Sequence, residues 1–408
     1  MQHSYIKFRI KKKTLQEKKM SQVKPLLFLA KGGTMGDLKP LAILAVIAAR
    51  TSKTKVTFVY RLNTQFLFLD QLAQFMLGDN YKDFLDIVPM EPVRQRHSKI
   101  IETKTNDLFD LSSLDQYFSF GQIADSTSLA DYSVKLDFGD NGQSKNRFVS
   151  CLLSAYRPFT RHFGSLYLPS KLTWSSSVIM EQLQDFKFKN QEKKIMVIAG
   201  SMQLPFSYYE LFTWFEKNEE FKYWGFILVG YNDVNKTTSD YYASEELMEK
   251  YFHHNQVFIL KDYVEYEDLV KYADFFISNC GAGSVLVPLV AGVAQTCDWI
   301  EHVSGEDKKS NLRSISFVHH VGPGKLDNFP NLMKDLEVNL NVYTENALKC
   351  SRIVKNETEI MLENMSRFFE LLSMDADLQK HVIATGMIPL EFALPDCSLE
   401  TIAKKVKY

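Results

Sequence analysis

Charge of one sign is what this chain lacks most plainly. Its 48 Lys and Arg are offset by 49 Asp and Glu, a formal net charge of −1 over 408 residues. Proteins that grip nucleic acid through its phosphates carry a basic surplus, so no nucleic-acid partner is expected. Cysteine is scarce as well. Cys151, Cys280, Cys297, Cys350 and Cys397 are scattered, odd in number and without Cys-x-x-Cys spacing. That argues against a disulfide framework or a zinc site and fits a reducing, cytoplasmic setting. Long apolar runs are missing: the longest, Pro40 to Ala49, falls far short of the ~20 residues that span a bilayer. There is no short tandem repeat, no P-loop and no Ser-His-Asp order. His253-His254 and His319-His320 are adjacent pairs, whose members cannot share a helix face, and neither has ligand spacing. No metal and no cofactor are expected.

What remains is an ordinary globular composition, 45% hydrophobic and 24% charged, in a chain long enough for two domains. Residues 1–23 stand apart. Lys7, Arg9, Lys11, Lys12, Lys13, Lys18 and Lys19 form a basic arm, read first as a disordered tail and more sharply as a peripheral contact with an anionic membrane surface. From residue 24 the pattern turns to buried strands. Leu26–Ala30 is an apolar run closed by Lys31-Gly32-Gly33, followed by a helical stretch from Leu38 to Ala49 and a second β-like run, Lys55–Tyr60. Strand, glycine turn, helix, strand is a βαβ unit. Asp86–Pro89 and Phe148–Leu153 extend the series, while residues 100–150 are polar and give no clear pattern.

A Ser-, Lys- and Gln-rich stretch over 171–192 reads as a linker between a first domain, 24–170, and a second, 193–372. In the second, Lys194–Ala199, Phe226–Gly230, Gln256–Leu260 and Asp274–Ser278 are apolar runs with helical patterns between them. Strands alternating with helices at this spacing imply a parallel sheet covered on both faces. Residues 340–372 read as one long amphipathic helix, and 373–408 as a terminal segment that packs back on the first domain. The expected class is α/β: two Rossmann-like domains with parallel sheets facing each other across a cleft.

Two turns carry the chemistry. Gly33-Thr34-Met35-Gly36-Asp37-Leu38-Lys39-Pro40 joins the first strand to its helix. Glycines there let the backbone turn tightly, and a helix N-terminus favours an anion or an oxygen ligand. It is not the dinucleotide Gly-x-Gly-x-x-Gly fingerprint. On these residues alone, Asp37 reads first as a helix cap. The second turn, Asn279-Cys280-Gly281-Ala282-Gly283-Ser284, follows the strand that ends at Ser278. Small residues at such a turn bare backbone N–H groups at the positive end of a helix, a cradle for a diphosphate.

The first turn resembles, at every fixed position, the GTxGDxxP signature of sterol and antibiotic glucosyltransferases in glycosyltransferase families 1 and 28. The second is similar to the HGGAGT motif of that family, and Pro288–Gln295 to its ALxAGVPQ. Ala199-Gly200-Ser201-Met202 resembles FGSM, Lys261–Leu269 the segment that receives uracil, Asp307-Lys308-Lys309-Ser310-Asn311 the DQPxN stretch, and Gly322-Pro323 the VGP. The matches are collinear from about residue 24 to residue 340. The resemblance implies a GT-B fold and a UDP-sugar donor, most naturally UDP-glucose. It also implies a lipophilic, sterol-like acceptor whose hydroxyl is deprotonated by Asp37, with Gly33, Thr34 and Gly36 on the acceptor-side loop. Donor contacts would come from Gly200, Ser201, Tyr263, Val264, Asn279, Gly281, Ala282, Gly283, Ser284, Asp307 and Lys308. Tyr263 reads equally as a stacking face or a core residue.

The chain departs from the family at several places: Cys280 stands where the family has the first Gly of HGGAGT, and the spacing from Gln295 to Asp307 is slightly longer. Asn279 replaces the family's His, so a charge-assisted bond to phosphate becomes a neutral one, about half as strong. Lys308 replaces a Gln. Between Tyr156–Arg161 and Leu172–Trp174 only a short loop stands where the family has a substantial helical stretch. A catalytically impaired GT-B protein, binding nucleotide-sugar or serving as a scaffold, is therefore the alternative.

Overall fold

The computed structural model describes residues 23–30, 35–60, 66–90, 108–122, 133–137, 148–149, 177–199, 208–217, 219–229, 255–260, 264–278, 282–296, 321–323, 329–385 and 388–392. They form two parallel sheets. The first contains β1 (Leu26–Ala30), β2 (Val56–Tyr60), β3 (Leu85–Pro89), β4 (Phe118–Gln122), β5 (Ser133–Asp137) and β6 (Phe148–Val149), in the order β3-β2-β1-β4-β5-β6. The second contains β7 (Lys194–Ala199), β8 (Trp224–Val229), β9 (Val257–Leu260), β10 (Phe275–Ser278) and β11 (Ala294–Thr296), in the order β11-β10-β7-β8-β9. In each sheet the opening strand lies in the middle and the chain winds outward first to one side, then to the other. This is the doubly wound pattern.

Alternation along the strands divides the core. On β1, Leu26, Phe28 and Ala30 face a large cluster with α1 (Met35–Thr51) and α2 (Phe66–Leu77), whereas Leu27 and Leu29 face Val59 and Leu114. In the second sheet Met196 and Ile198 meet α4 (Tyr208–Lys217), and Ile195, Val197 and Ala199 meet α3 (Ser177–Lys189). The stretch expected as linker is thus largely a helix of the second domain. Its composition is polar, but Ile179, Leu183 and Phe186 recur at i, i+4 and i+7 and are buried, enough to seat one face. The polar region 100–150 likewise holds β4 and β5. β4 lies beside β1, and its Phe118 and Phe120 are buried. Of the expected strand Phe148–Leu153 the described part is β6, and residues 150–153 lie outside the described residues.

The longest element is α7 (Phe329–Leu372), 44 residues and wider than the 340–372 expected. Pro330 sits in its first turn, where a missing N–H is harmless, and neither Gly nor Pro follows until after its end. Leu340, Ala347, Val354, Met361 and Phe368 repeat every seventh residue, and all are buried. Phe329, Leu332, Met333, Leu336 and Leu340 belong to the second domain's core, and Met361, Met365, Phe368, Phe369 and Leu372 to the first. The change of core thus falls inside this helix, not at residue 372, because the apolar stripe runs unbroken past both domains. α1 explains why: Leu41 to Ala49 are buried all round, with the sheet on one side and α7 on the other. The run Pro40–Ala49 is a core helix, and among the described residues no helix is long and apolar enough to cross a membrane.

The chain then turns back. Asp375 accepts from the N–H groups of Asp377 and Leu378 at 2.8 and 3.0 Å, capping α8 (Ala376–Thr385) as its side chain is suited to do. Buried Gln379 on α8 clamps the backbone just before β1. Its Oε1 accepts from Lys24 N at 3.0 Å and its Nε2 donates to Lys24 O at 2.8 Å. Val382, Ile388 and Phe392 join the first core.

Phe369 stands edge-on to Phe28 and Phe120, with ring centroids 5.7 and 5.6 Å away. Phe369→Ala should cost about 3–5 kcal/mol. Because the same helix crosses both cores, the loss should appear in denaturant unfolding as an earlier, single transition. Two separated transitions in the wild type would show that α7 does not couple the domains.

Candidate functional site

In a doubly wound sheet, ligands bind outside the carboxyl ends of the strands where the strand order reverses. Here the reversals fall between β1 and β4 and between β7 and β10. The segments singled out in the sequence begin at these ends. Gly33 and Thr34 follow β1 and lie outside the described residues. Gly36 and Asp37 are the second and third residues of α1, so Asp37 sits inside the first helical turn, not at the flanking cap position. A carboxylate is favourable there too. In the second sheet, Gly200 and Ser201 follow β7, Tyr263 follows β9, Asn279 and Gly281 follow β10, and Asp307 and Lys308 follow β11. All of these lie outside the described residues. Ala282, Gly283 and Ser284 are the first three residues of α6 (Ala282–Ala291).

Val264 is described, and its side chain is buried with Leu269, Val270 and Phe276. What Val264 can offer a ligand is therefore its backbone. The next residues carry more charge than expected for a buried turn. Glu265 is the N-cap residue of α5 (Tyr266–Leu269), and both Glu265 and Asp268 are buried. Asp268 meets Lys271 Nζ at 2.7 Å. Burial, with the charge of Glu265 beside it, pushes the Tyr266 hydroxyl up to about 12, so this ring is neutral at physiological pH and packs edge-on to Phe276.

The helix α6 is fixed firmly at its C-terminal end. Its C-terminus closes with the Gly292 N–H on Leu289 O at 3.0 Å and the Val293 N–H on Pro288 O at 2.9 Å. Gly292 has a φ of +76°, the left-handed turn that glycine supplies at this position. A side chain there would also strike Leu348 of α7. Ser351 of α7 donates to Val290 O at 2.5 Å. At the other end the first N–H groups have no partner within the helix. Pro288 lies inside the helix. It has no N–H for the carbonyl of Ser284, four residues earlier.

The sequence did not single out Gln295 and Gly322 as working parts beyond their motifs. Gln295 is completely buried on β11, and its Nε2 donates to Val285 O in the opening of α6 at 2.9 Å. Its N–H donates to Val321 O at 2.9 Å. Gly322 lies so close that a Cβ on it would stand 1.8 Å from the Gln295 carbonyl oxygen; no other residue fits. The Gly-Pro pair in the sequence was the available signal. Among the described residues, no group of three His, Cys, Asp or Glu could hold a metal ion. The two histidine pairs lie outside the described residues. Cys350 is buried and free, and burial pushes its thiol up to about 12.

No protein-family model matches the chain, and no curated protein matches it in sequence. Solved structures match it in fold. Arabidopsis thaliana UGT89C1 complexed with UDP-L-rhamnose superposes with a TM-score of 0.56 at 12% identity, covering 90% of this chain and 100% of that one. Another crystal structure of Arabidopsis thaliana UGT89C1 gives 0.52 at 11%, covering 86% and 100%. LpCGTa in complex with UDP gives 0.50 at 9%, covering 85% and 99%. At these identities the likeness is one of architecture, and it agrees with the strand orders above: the chain has the two-domain GT-B fold, like these glycosyltransferases.

Proposed function

We propose that this chain is a UDP-sugar-dependent glycosyltransferase that moves a hexose, glucose in the first place, to a hydroxyl of a lipophilic acceptor such as a sterol. The observation that carries the reading is positional. The GTxGDxxP turn and the glycine turn after β10 open at the reversal points of two separate sheets, and the helices that follow them both rest on α7. That UGT89C1 and LpCGTa were crystallised with UDP-L-rhamnose and UDP supports the donor class. In this reading Asp37 takes the acceptor proton as the acceptor oxygen attacks the anomeric carbon and the bond from that carbon to the UDP oxygen breaks. The N–H groups at the start of α6, with Gly281 and Asn279, take up the charge of the departing diphosphate. Gly200, Ser201, Tyr263 and Val264 hold the nucleotide, and Asp307 and Lys308 the sugar hydroxyls. We further propose a cytoplasmic location, with the basic arm touching anionic membrane surfaces where lipophilic acceptors reside.

A second reading keeps the fold without turnover. Asn279 in place of a histidine and Pro288 within the cradle helix favour it, since both weaken the hold on phosphate. Product formed from any UDP-sugar and acceptor sinks it.

General-base catalysis contributes typically about 10²–10⁴-fold. Asp37→Ala should lower kcat by roughly that factor while thermal stability and UDP affinity stay as in the wild type; unchanged turnover would remove Asp37 from the mechanism. Calorimetric titration tests the donor side. The wild type should bind UDP one to one, and Gly283→Trp should abolish binding by filling the cradle. Asn279→His should tighten binding, more so below pH 6.5, as the imidazole gains its proton and the bond becomes charge-assisted.

A further inference from the structure

We infer that Gln295 is a positioning residue for the donor turn. Its side-chain amide closes the opening of α6, where Pro288 deprives the helix of a bond of its own. The functional meaning of this inference rests on the donor reading above. In an uninterrupted helix the N–H of residue 288 would donate to the carbonyl of Ser284. Proline has no N–H, and its ring crowds that same carbonyl. The helix is therefore weakest in the turn that presents the N–H groups of Ala282, Gly283 and Ser284. Gln295 reaches this turn from the following strand and donates to the next carbonyl along, that of Val285, at 2.9 Å.

Gln295 can act as a brace because it is itself fixed. Its N–H is bonded to Val321 O, its carbonyl lies against Gly322, and the neighbouring Thr296 hydroxyl donates to Pro323 O at 3.1 Å. The other end of the amide tells what the residue is for. Among the described residues Oε1 is buried with no hydrogen-bond partner, and a buried oxygen left unpaired detracts from stability. Methionine would fill the same space without that penalty. The amide thus adds little net stability, while its hold on Val285 is direct. A residue that served packing alone would show the opposite balance.

Gln295→Met separates the two roles. Its thermal midpoint should stay close to that of the wild type. Amide exchange at 282–285 should quicken, and UDP affinity measured by calorimetry should fall roughly three- to tenfold, the worth of one neutral hydrogen bond. Adding Pro288→Ala returns an N–H to the Ser284 carbonyl, and the double variant should recover both slow exchange and UDP affinity. Wild-type exchange rates in Gln295→Met, or no recovery on adding Pro288→Ala, would overturn the inference. Failure of the donor reading looks different: the wild type would bind no UDP, yet exchange would still respond to both substitutions. If the wild type binds UDP and Gln295→Met binds it equally well, the donor reading stands and the brace falls.

Discussion

The apolar stripe of α7 is the constraint on which the rest of the molecule depends. A helix of 44 residues is about 66 Å long at 1.5 Å per residue, longer than a single small domain. Its buried positions are shared among three partners. The first turns fill the second domain's core, the middle touches the end of α6 through Ser351 and Leu348, and the last turns cover α1 and meet Phe28 and Phe120. Each fully buried Phe or Met contributes roughly 1.5–3 kcal/mol of transfer free energy, so neither end can peel away cheaply. α1 and α6, the two helices whose N-termini follow the motif turns, therefore rest on one rigid element. The separation of the N-termini of α1 and α6 is set by packing along α7.

The second level of support is made of backbone contacts, not apolar area. Gly322 against the Gln295 carbonyl, Gln295 on Val285 and Gly292 at the end of α6 form a chain of close approaches. None buries much surface, but each fixes an angle. Gln379 does the same for the first sheet by bonding both backbone groups of Lys24, just before β1. The two long-range amides are placed alike: each projects from one element, is buried, and satisfies main-chain groups of another.

Much of this was legible in the sequence, and what was not has physical reasons. β1, β2, β7 and β10 are runs of apolar residues because both faces of a parallel sheet are covered, and such runs stand out. β5, at Ser133–Asp137, has alternating apolar positions only at Val134 and Leu136 and sits toward the sheet's edge, so composition concealed it. α3 was hidden by its six polar and charged exposed positions around three buried ones, a face too narrow to dominate a stretch rich in Ser, Lys and Gln. The motif turns could be found because glycine and a helix start are local signals. Gln295 could not, since what defines its part is a bond to Val285, ten residues back, and a contact with Gly322, far along the chain. Through-space relations of this kind leave no periodicity.

Asn279 and Pro288 acquire a common meaning when set beside this support. If α6 offered phosphate a cationic side chain, small errors in the direction of its N–H groups would matter little, because a charge acts over distance. With a neutral residue at 279, the hold on a diphosphate would come from hydrogen bonds, whose strength falls steeply with angle. A cradle of that kind needs its first turn fixed more firmly, and Pro288 works against this from inside the helix. The brace from β11 supplies the missing rigidity from outside, anchored by Gly322 and the Val321 carbonyl. The weakening of the donor turn and its support are thus separate in sequence but act on the same few N–H groups. Judging the chain by Asn279 alone would overlook half of the balance.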